Sequence, residues 1–100
     1  MSQVEISVQE LVAPDHRSLA GHFPGNPVVP GTLILDRVCH AVEAHLPGST
    51  LSEVRKVKFL KPLQVGHPFS IKLKTVSKGV DFTCNQQSSL IATGNLILIS

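Results

Sequence analysis

Three groups able to do acid–base chemistry fall within the sixteen residues from Gly21 to Asp36, GHFPGNPVVPGTLILD. His22 is a base of the kind that gains and loses protons near neutrality, and Asp36 is a carboxylic acid. Gly31 carries a backbone N–H with no side chain to obstruct an approaching ligand. A base, an acid and an amide donor suit a reaction that removes a proton, holds a carbonyl oxygen as it becomes negative, and helps a leaving group depart.

The elements needed to position these groups are written into the same stretch. Pro24, Pro27 and Pro30 recur every third residue. Each fixes its own φ at about −65° and pushes the preceding residue out of the helical region, so the segment is a stiff loop. After Pro30-Gly31 comes TLILDRVCHAVEAHL, free of Gly and Pro until Pro47-Gly48, which predicts a helix with a clear stop. The first amides of a helix lack intrahelical partners and sit at the positive end of its dipole, so the Gly31 N–H is placed to hold an oxyanion. Asp36 lies five residues on, roughly 7.5 Å along the axis at about 1.5 Å per residue. His40 is one turn beyond Asp36 on the same face. Three roles fit it: orienting the Asp36 carboxylate, packing, or joining His22 and Asp36 around a metal. A protonated His40 would oppose the use of Asp36 as a proton donor, and a neutral one would not.

Elsewhere the hydrophobic pattern predicts strands. Val4 to Val12 alternates apolar with polar residues, and Ala13 to Ala20 reads as a loop. On the helix, Leu33, Ile34, Leu35, Val38, Ala41, Val42 and Leu46 form an apolar surface broad enough to be wrapped by a sheet. Leu51 to Leu63 predicts a strand with a bulge before Pro62, followed by a turn at Gly66. Phe69, Ile71 and Leu73 alternate with Ser70, Lys72 and Lys74; Ser77-Lys78-Gly79 is a hairpin turn; Val80, Phe82 and Cys84 continue the alternation. Gln86 to Ser89 turns the chain again. The last strand, Leu90 to Ile99, is apolar on both faces after Asn95, which predicts cover on both sides. Strand, loop, helix and four further strands make an α+β fold, an antiparallel sheet curled around one long helix.

Composition excludes several classes. One hundred residues, 42% hydrophobic and 16% charged, predict a single globular domain over residues 1–100. A mean hydropathy of +0.19 implies more apolar surface than a small monomer hides, hence an oligomer. No apolar run approaches the length of a membrane span, and MSQVEISVQE lacks a basic and apolar leader, which predicts a cytoplasmic protein without membrane contact. A net charge of +2, no Trp or Tyr and four Phe argue against nucleic acid. Cys39 and Cys84 have no ligand-like spacing and are expected to be reduced, buried thiols. Arg55, Lys56, Lys58 and Lys61 cluster, and Lys72, Lys74 and Lys78 follow. These form either a solvated strand face or a docking patch for an acidic partner. No serine sits in a nucleophile elbow and no glycine loop suits a phosphate, so no cofactor and no resident metal is implied. His16, His45 and His67 receive no role.

HFPGNPVVPG, with an acid fourteen positions after its histidine, resembles the 3-hydroxyacyl-[acyl-carrier-protein] dehydratases of the hotdog superfamily. GHFPGxPVVPG with Asp as the acid is most similar to the short dehydratase-like proteins of specialised lipid pathways such as aryl polyene synthesis. KFLKPLQVGHPFSIKL resembles the family stretch KFxxPVxPGD, so the likeness covers most of residues 15–99. His67 stands where the family usually has Asp, and His40 where it often has Gln. The resemblance implies a hotdog fold and the conversion of a 3-hydroxyacyl to a trans-2-enoyl thioester on acyl carrier protein. It implies His22 as the C2 base, Gly31 as the oxyanion donor, and Asp36 either as the acid or as the group that positions a water or the hydroxyl. It also implies a homodimer or higher homo-oligomer in which His22 and Asp36 of one site come from different subunits. The acyl tunnel would be lined by Phe23, Val29, Pro30, Leu33 and Phe59. Two other outcomes fit a hotdog chain: an acyl thioesterase in which Asp36 or its water attacks the carbonyl, and a non-catalytic acyl-carrier or dimerisation partner.

Overall fold

The computed structural model describes residues 5–13 and 29–99. Strong alternation forms strands where it was expected: β1 (Glu5–Glu10), then, after the helix α1 (Gly31–His45), β2 (Thr50–Phe59), β3 (Phe69–Val76), β4 (Gly79–Gln86) and β5 (Ser89–Ile99). The proline-spaced loop up to Val28, with His22 and Phe23, lies outside the described residues.

The five strands form one sheet in the order β1-β3-β4-β5-β2, every neighbouring pair antiparallel. Phe69, Ile71, Leu73, Val80, Phe82, Cys84 and Leu96 from the sheet pack with Leu33, Ile34, Val38, Ala41 and Val42 from α1 in one core. Burying each large apolar side chain of this kind contributes roughly 1.5–3 kcal/mol. Leu35 and Leu46 flank that stripe, half-buried, so the helical surface is as broad as its sequence implies. This is the hotdog arrangement.

Local departures have local causes. β1 ends at Glu10 rather than Val12, because Val12 drops into the core and gives its carbonyl to the Gly66 amide at 2.8 Å. β2 ends at Phe59 rather than Leu63, because the Leu60 and Lys61 amides both donate to the Ile91 carbonyl and Pro62 cannot continue a ladder. Ile91 is free for that double role because the β4–β5 register shifts after Cys84. The bulge expected in β2 is present, with shifts after Leu51 and after Arg55 and a left-handed Lys56 (φ 53°). Cover of β5 on both faces is incomplete: Leu96 is buried, Ile97 and Leu98 are half-buried, and Ile99 is exposed.

The cysteines divide. Cys84 is buried in the sheet, and desolvation pushes its thiol up to about 12. Cys39 is only half-buried, a correction to the expectation of two buried thiols, because it sits on the flank of α1 rather than on its core stripe. Its thiol is raised as well, first by desolvation and then by the nearby charges of Asp36 and Glu43. On β3, Lys74 sits in register between Glu5 and Asp81 and Lys72 between Ser7 and Thr83, both lysines exposed on a solvated strand face.

Two stability predictions follow from this packing. A Cβ at Gly79 would lie 1.8 Å from the Leu96 carbonyl oxygen, a backbone atom that cannot move aside. Gly79→Ala is expected to cost about 3 kcal/mol or more, read as a lowered urea midpoint. For Cys84, the folded state keeps its proton above the ordinary thiol pKa of 9.0 while the unfolded state loses it. The unfolded state then binds fewer protons, so stability falls as pH rises from about 9 towards 12, by on the order of 1 kcal/mol per pH unit. Cys84→Ala is expected to remove the larger part of that alkaline slope in pH-dependent denaturation, leaving the contribution of Cys39.

Candidate functional site

Pro30 adopts φ −61° and ψ 144°, an extended conformation that hands the chain directly into α1, and its carbonyl accepts from the amides of Leu33 and Ile34. Gly31 is the first helical residue, and no side chain caps this end. Its amide is among those a helix leaves without an internal acceptor. No acidic residue lies in the first turn to compensate the dipole, so the positive end is available to an incoming oxygen.

A cleft of about 350 Å³ opens here. Val29, Gly31 and Ile34 form one wall, and Phe59, Leu60, Lys61, Pro62 and Leu63 form the other. The two walls are tied by the Val29 amide donating to the Leu63 carbonyl at 3.3 Å. The Phe59 ring lies against the Gly31 Cα so closely that a Cβ there would stand 2.8 Å from Cζ. A side chain at position 31 would thus have to push the Phe59 ring aside. The lining is apolar apart from the Lys61 side chain and backbone groups, which suits an alkyl chain ending in one polar atom.

Asp36 and His40 occupy a different surface. Both are on the exposed side of α1, 56% and 62% accessible, with His40 Nδ1 3.6 Å from Asp36 Oδ2. That separation is an ion pair at most and too long for a directional hydrogen bond. Within one chain, therefore, Gly31 opens onto the cleft and Asp36 onto solvent. Among the sequence-predicted lining residues, Val29 and Phe59 wall the cleft, Pro30 starts the helix beside it, and Leu33 packs into the core at 8% exposure. Phe23 and His22 lie outside the described residues, and so does any metal set that includes His22. Among the described residues no three His, Cys, Asp or Glu side chains converge on a possible metal position. No described helix is long and apolar enough to cross a membrane.

Sequence reasoning missed Ile34 and the run Leu60 to Leu63. The KFLKPL resemblance and the strand-breaking Pro62 marked that run without showing that it turns back over the helix start. It also missed Gln86, whose buried side chain bonds the backbone of Gln64 and His67, just after that run.

The contact between Gly31 and Phe59 gives a quantitative expectation. Phe59 is 49% exposed, so its ring can swing out when a methyl is added at position 31. Gly31→Ala should cost only about 1 kcal/mol, and Phe59→Ala in the same chain should recover most of it, a coupling of about 0.5–1 kcal/mol in a double-mutant cycle of urea denaturation.

The family model of ApeI-like proteins, ApeI dehydratase, matches residues 1–95. The 3-hydroxyacyl-[acyl-carrier-protein] dehydratase FabZ of Levilactobacillus brevis is 33% identical over 66 residues, 58% of this chain and 45% of FabZ. The chain thus spans about half the length of that curated relative. Among solved structures, the dehydratase heterocomplex ApeI:P from Xenorhabdus doucetiae superposes with a TM-score of 0.85 at 26% identity, over 100% of this chain and 96% of that one. An uncharacterized protein from Erwinia carotovora subsp. atroseptica superposes with a TM-score of 0.75 at 27% identity, over 97% of this chain and 82% of that one.

Proposed function

The chain belongs to the ApeI-like dehydratase family, and from that premise we propose that it removes water from a 3-hydroxyacyl thioester on acyl carrier protein, leaving the trans-2-enoyl thioester. The observation that carries this proposal is the apolar cleft at the start of α1, with Gly31 in its wall and Phe59 seated against it. A thioester carbonyl at the Gly31 amide would place its acyl chain along Phe59 and Leu60.

In the proposed reaction His22 takes the proton from C2. The electron pair left behind becomes an enolate whose charge on the thioester oxygen is held by the Gly31 N–H. The pair then forms the C2–C3 double bond as the C3–O bond breaks. The departing hydroxyl takes a proton from Asp36, directly or through a water that Asp36 positions, and leaves as water. His40, beside Asp36 on α1, would orient its carboxylate. His22 can also carry both proton transfers, with Asp36 holding the hydroxyl in place.

Because Asp36 is exposed in one protomer and faces away from the cleft that Gly31 lines, the proposed site needs a second subunit to bring the two together. β2 is an edge strand of the sheet, and Leu51, Val54, Phe59 and Leu60 on and beside it are 37–50% exposed, an apolar margin suited to burial against another subunit. A second copy of the chain would make a homodimer. The ApeI:P heterocomplex of Xenorhabdus doucetiae supports the other possibility, a related but different chain. The acidic carrier would approach over Lys58 and Lys61, which flank Phe59 and Leu60 and have no acidic partner within salt-bridge distance among the described residues.

The reaction is tested by incubating the purified protein with 3-hydroxyacyl carrier protein and following the acyl group by mass spectrometry. Loss of one water is expected, with His22→Ala and Asp36→Asn each slowing it by roughly 10²–10⁴-fold. Unchanged turnover in either variant would remove that residue from the mechanism. Free acid in place of enoyl product would identify a thioesterase. A homodimer that binds the carrier and converts nothing would identify a partner subunit, active only beside another chain. If Lys58 and Lys61 receive the carrier, Lys61→Glu raises KM for carrier-bound substrate by roughly 5-fold at low salt, and the effect fades as salt is added.

A further inference from the structure

The β4–β5 hairpin turns through Gln87 and Ser88, both left-handed at φ 51° and 70°, a backbone that L-residues adopt only at a cost. That turn leaves Gln86 as the last residue of β4, paired with Ser89 and pointing inward. Gln86 is 5% exposed, and among the described residues it is the buried side chain that is not hydrophobic. Both of its N–H donors and its oxygen are engaged with loop backbone. Its Oε1 accepts from the Gln64 amide at 2.9 Å, and its Nε2 donates to the carbonyls of Gln64 at 3.0 Å and His67 at 3.1 Å. The primary amide thus acts as an additional peptide group, paired with Gln64 as a neighbouring strand would be.

The loop held in this way is the far wall of the cleft. Residues 60–63 supply four of its lining residues. The loop is fixed at its start by the Ile91 carbonyl, at Gln64 and His67 by Gln86, and at Gly66 by the Val12 carbonyl. Leu63, next to Gln64, accepts from the Val29 amide, and Val29 leads through Pro30 into Gly31. Gln86 therefore sits at the root of a chain of backbone contacts that ends at the proposed oxyanion donor. Those contacts set the gap between the wall of Leu60 to Leu63 and the start of α1.

We propose that Gln86 is a positioning residue that fixes the width of this cleft and so selects the length of acyl chain that enters it. The occupant rests on the dehydratase function proposed above; the clamp on the loop does not. Neither glutamate nor methionine can replace the amide. Glutamate keeps the acceptor for Gln64 N–H but presents no donor to two carbonyls when ionised. Methionine keeps the volume and loses all three bonds.

The test compares wild type, Gln86→Glu and Gln86→Met. Methionine buries no charge, so it carries the test where the glutamate variant fails to fold. The first readout is amide hydrogen exchange. In the methionine variant the Gln64 and Gly66 amides, and in the glutamate variant the Gly66 amide, should exchange roughly 10-fold faster or more, while Leu73 and Phe82 in the sheet stay as in wild type. The second is the affinity of alkanoyl pantetheines from butanoyl to dodecanoyl, measured by calorimetry, which needs no turnover. The ratio between the best and worst chain lengths should shrink by roughly 5-fold, because a slack wall discriminates less. Unchanged exchange at Gln64 and Gly66 overturns the clamp. Accelerated exchange with an unchanged length profile overturns the selective role and leaves Gln86 a purely structural residue. A wild type that binds none of these thioesters also overturns it. Turnover of 3-hydroxyacyl carrier protein by wild type, run alongside, reports on the dehydratase function separately: no enoyl product together with a length profile that collapses in the variants would refute that function and retain the role of Gln86.

Discussion

Everything in this fold depends on one burial event, the apolar face of α1 packing against one face of a five-stranded sheet. The helix has no side-chain N-cap and no acid in its first turn, so its start contributes little to holding it. Its stability comes from Leu33, Ile34, Val38, Ala41 and Val42 against Phe69, Ile71, Leu73, Phe82 and Leu96. The uncapped N-terminus is a weakness for the isolated helix and a resource for the proposed chemistry. The amide that no capping group claims is available to a substrate oxygen.

The sheet is closed on the inside and unfinished at one margin. Along β2 only Val57 is partly buried, the other nine residues are exposed, and the bulges at Leu51 and Arg55 strengthen its twist. The cleft is built where β2 ends and the chain must cross back to β3, and its outer residues, Phe59 and Leu60, are about half exposed. Functional groups and unfinished surface thus coincide. A catalytic assembly completed between subunits would account for an Asp36 left in solvent within one chain and for apolar residues left uncovered beside the cleft.

Some specificity in such a small protein is stored in the backbone. The crossing loop has little regular structure of its own and is held by peptide groups lent from elsewhere: the carbonyls of Ile91 and Val12, the Val29 amide, and the side-chain amide of Gln86 standing in for a missing strand. Several directional hydrogen bonds spread along one short loop restrict its displacement, even though most of its residues face solvent.

Local sequence determined the elements. Period-two alternation in FSIKLKTV and VDFTC, the Gly-free and Pro-free run after Pro30-Gly31, and the breakers at Pro47-Gly48 and Ser77-Lys78-Gly79 specify strands, helix and turns, because propensity and patterning act over a few residues. The hotdog topology was legible too, from the order of those elements and from the GHFPGNPVVPG resemblance. Tertiary structure alone decided which residues share a cavity. Ile34 and Leu63 meet across the cleft although 29 positions separate them in the chain. Gln86 reads as one more polar residue of a turn until the fold brings Gln64 and His67 to its amide. Leu33, one of the lining residues the resemblance implied, is packed into the core instead, a placement that depends on which parts of the sheet surround the helix. Spacing along the chain records which groups exist. Where they meet is set by long-range packing, whose partners the sequence does not write next to one another.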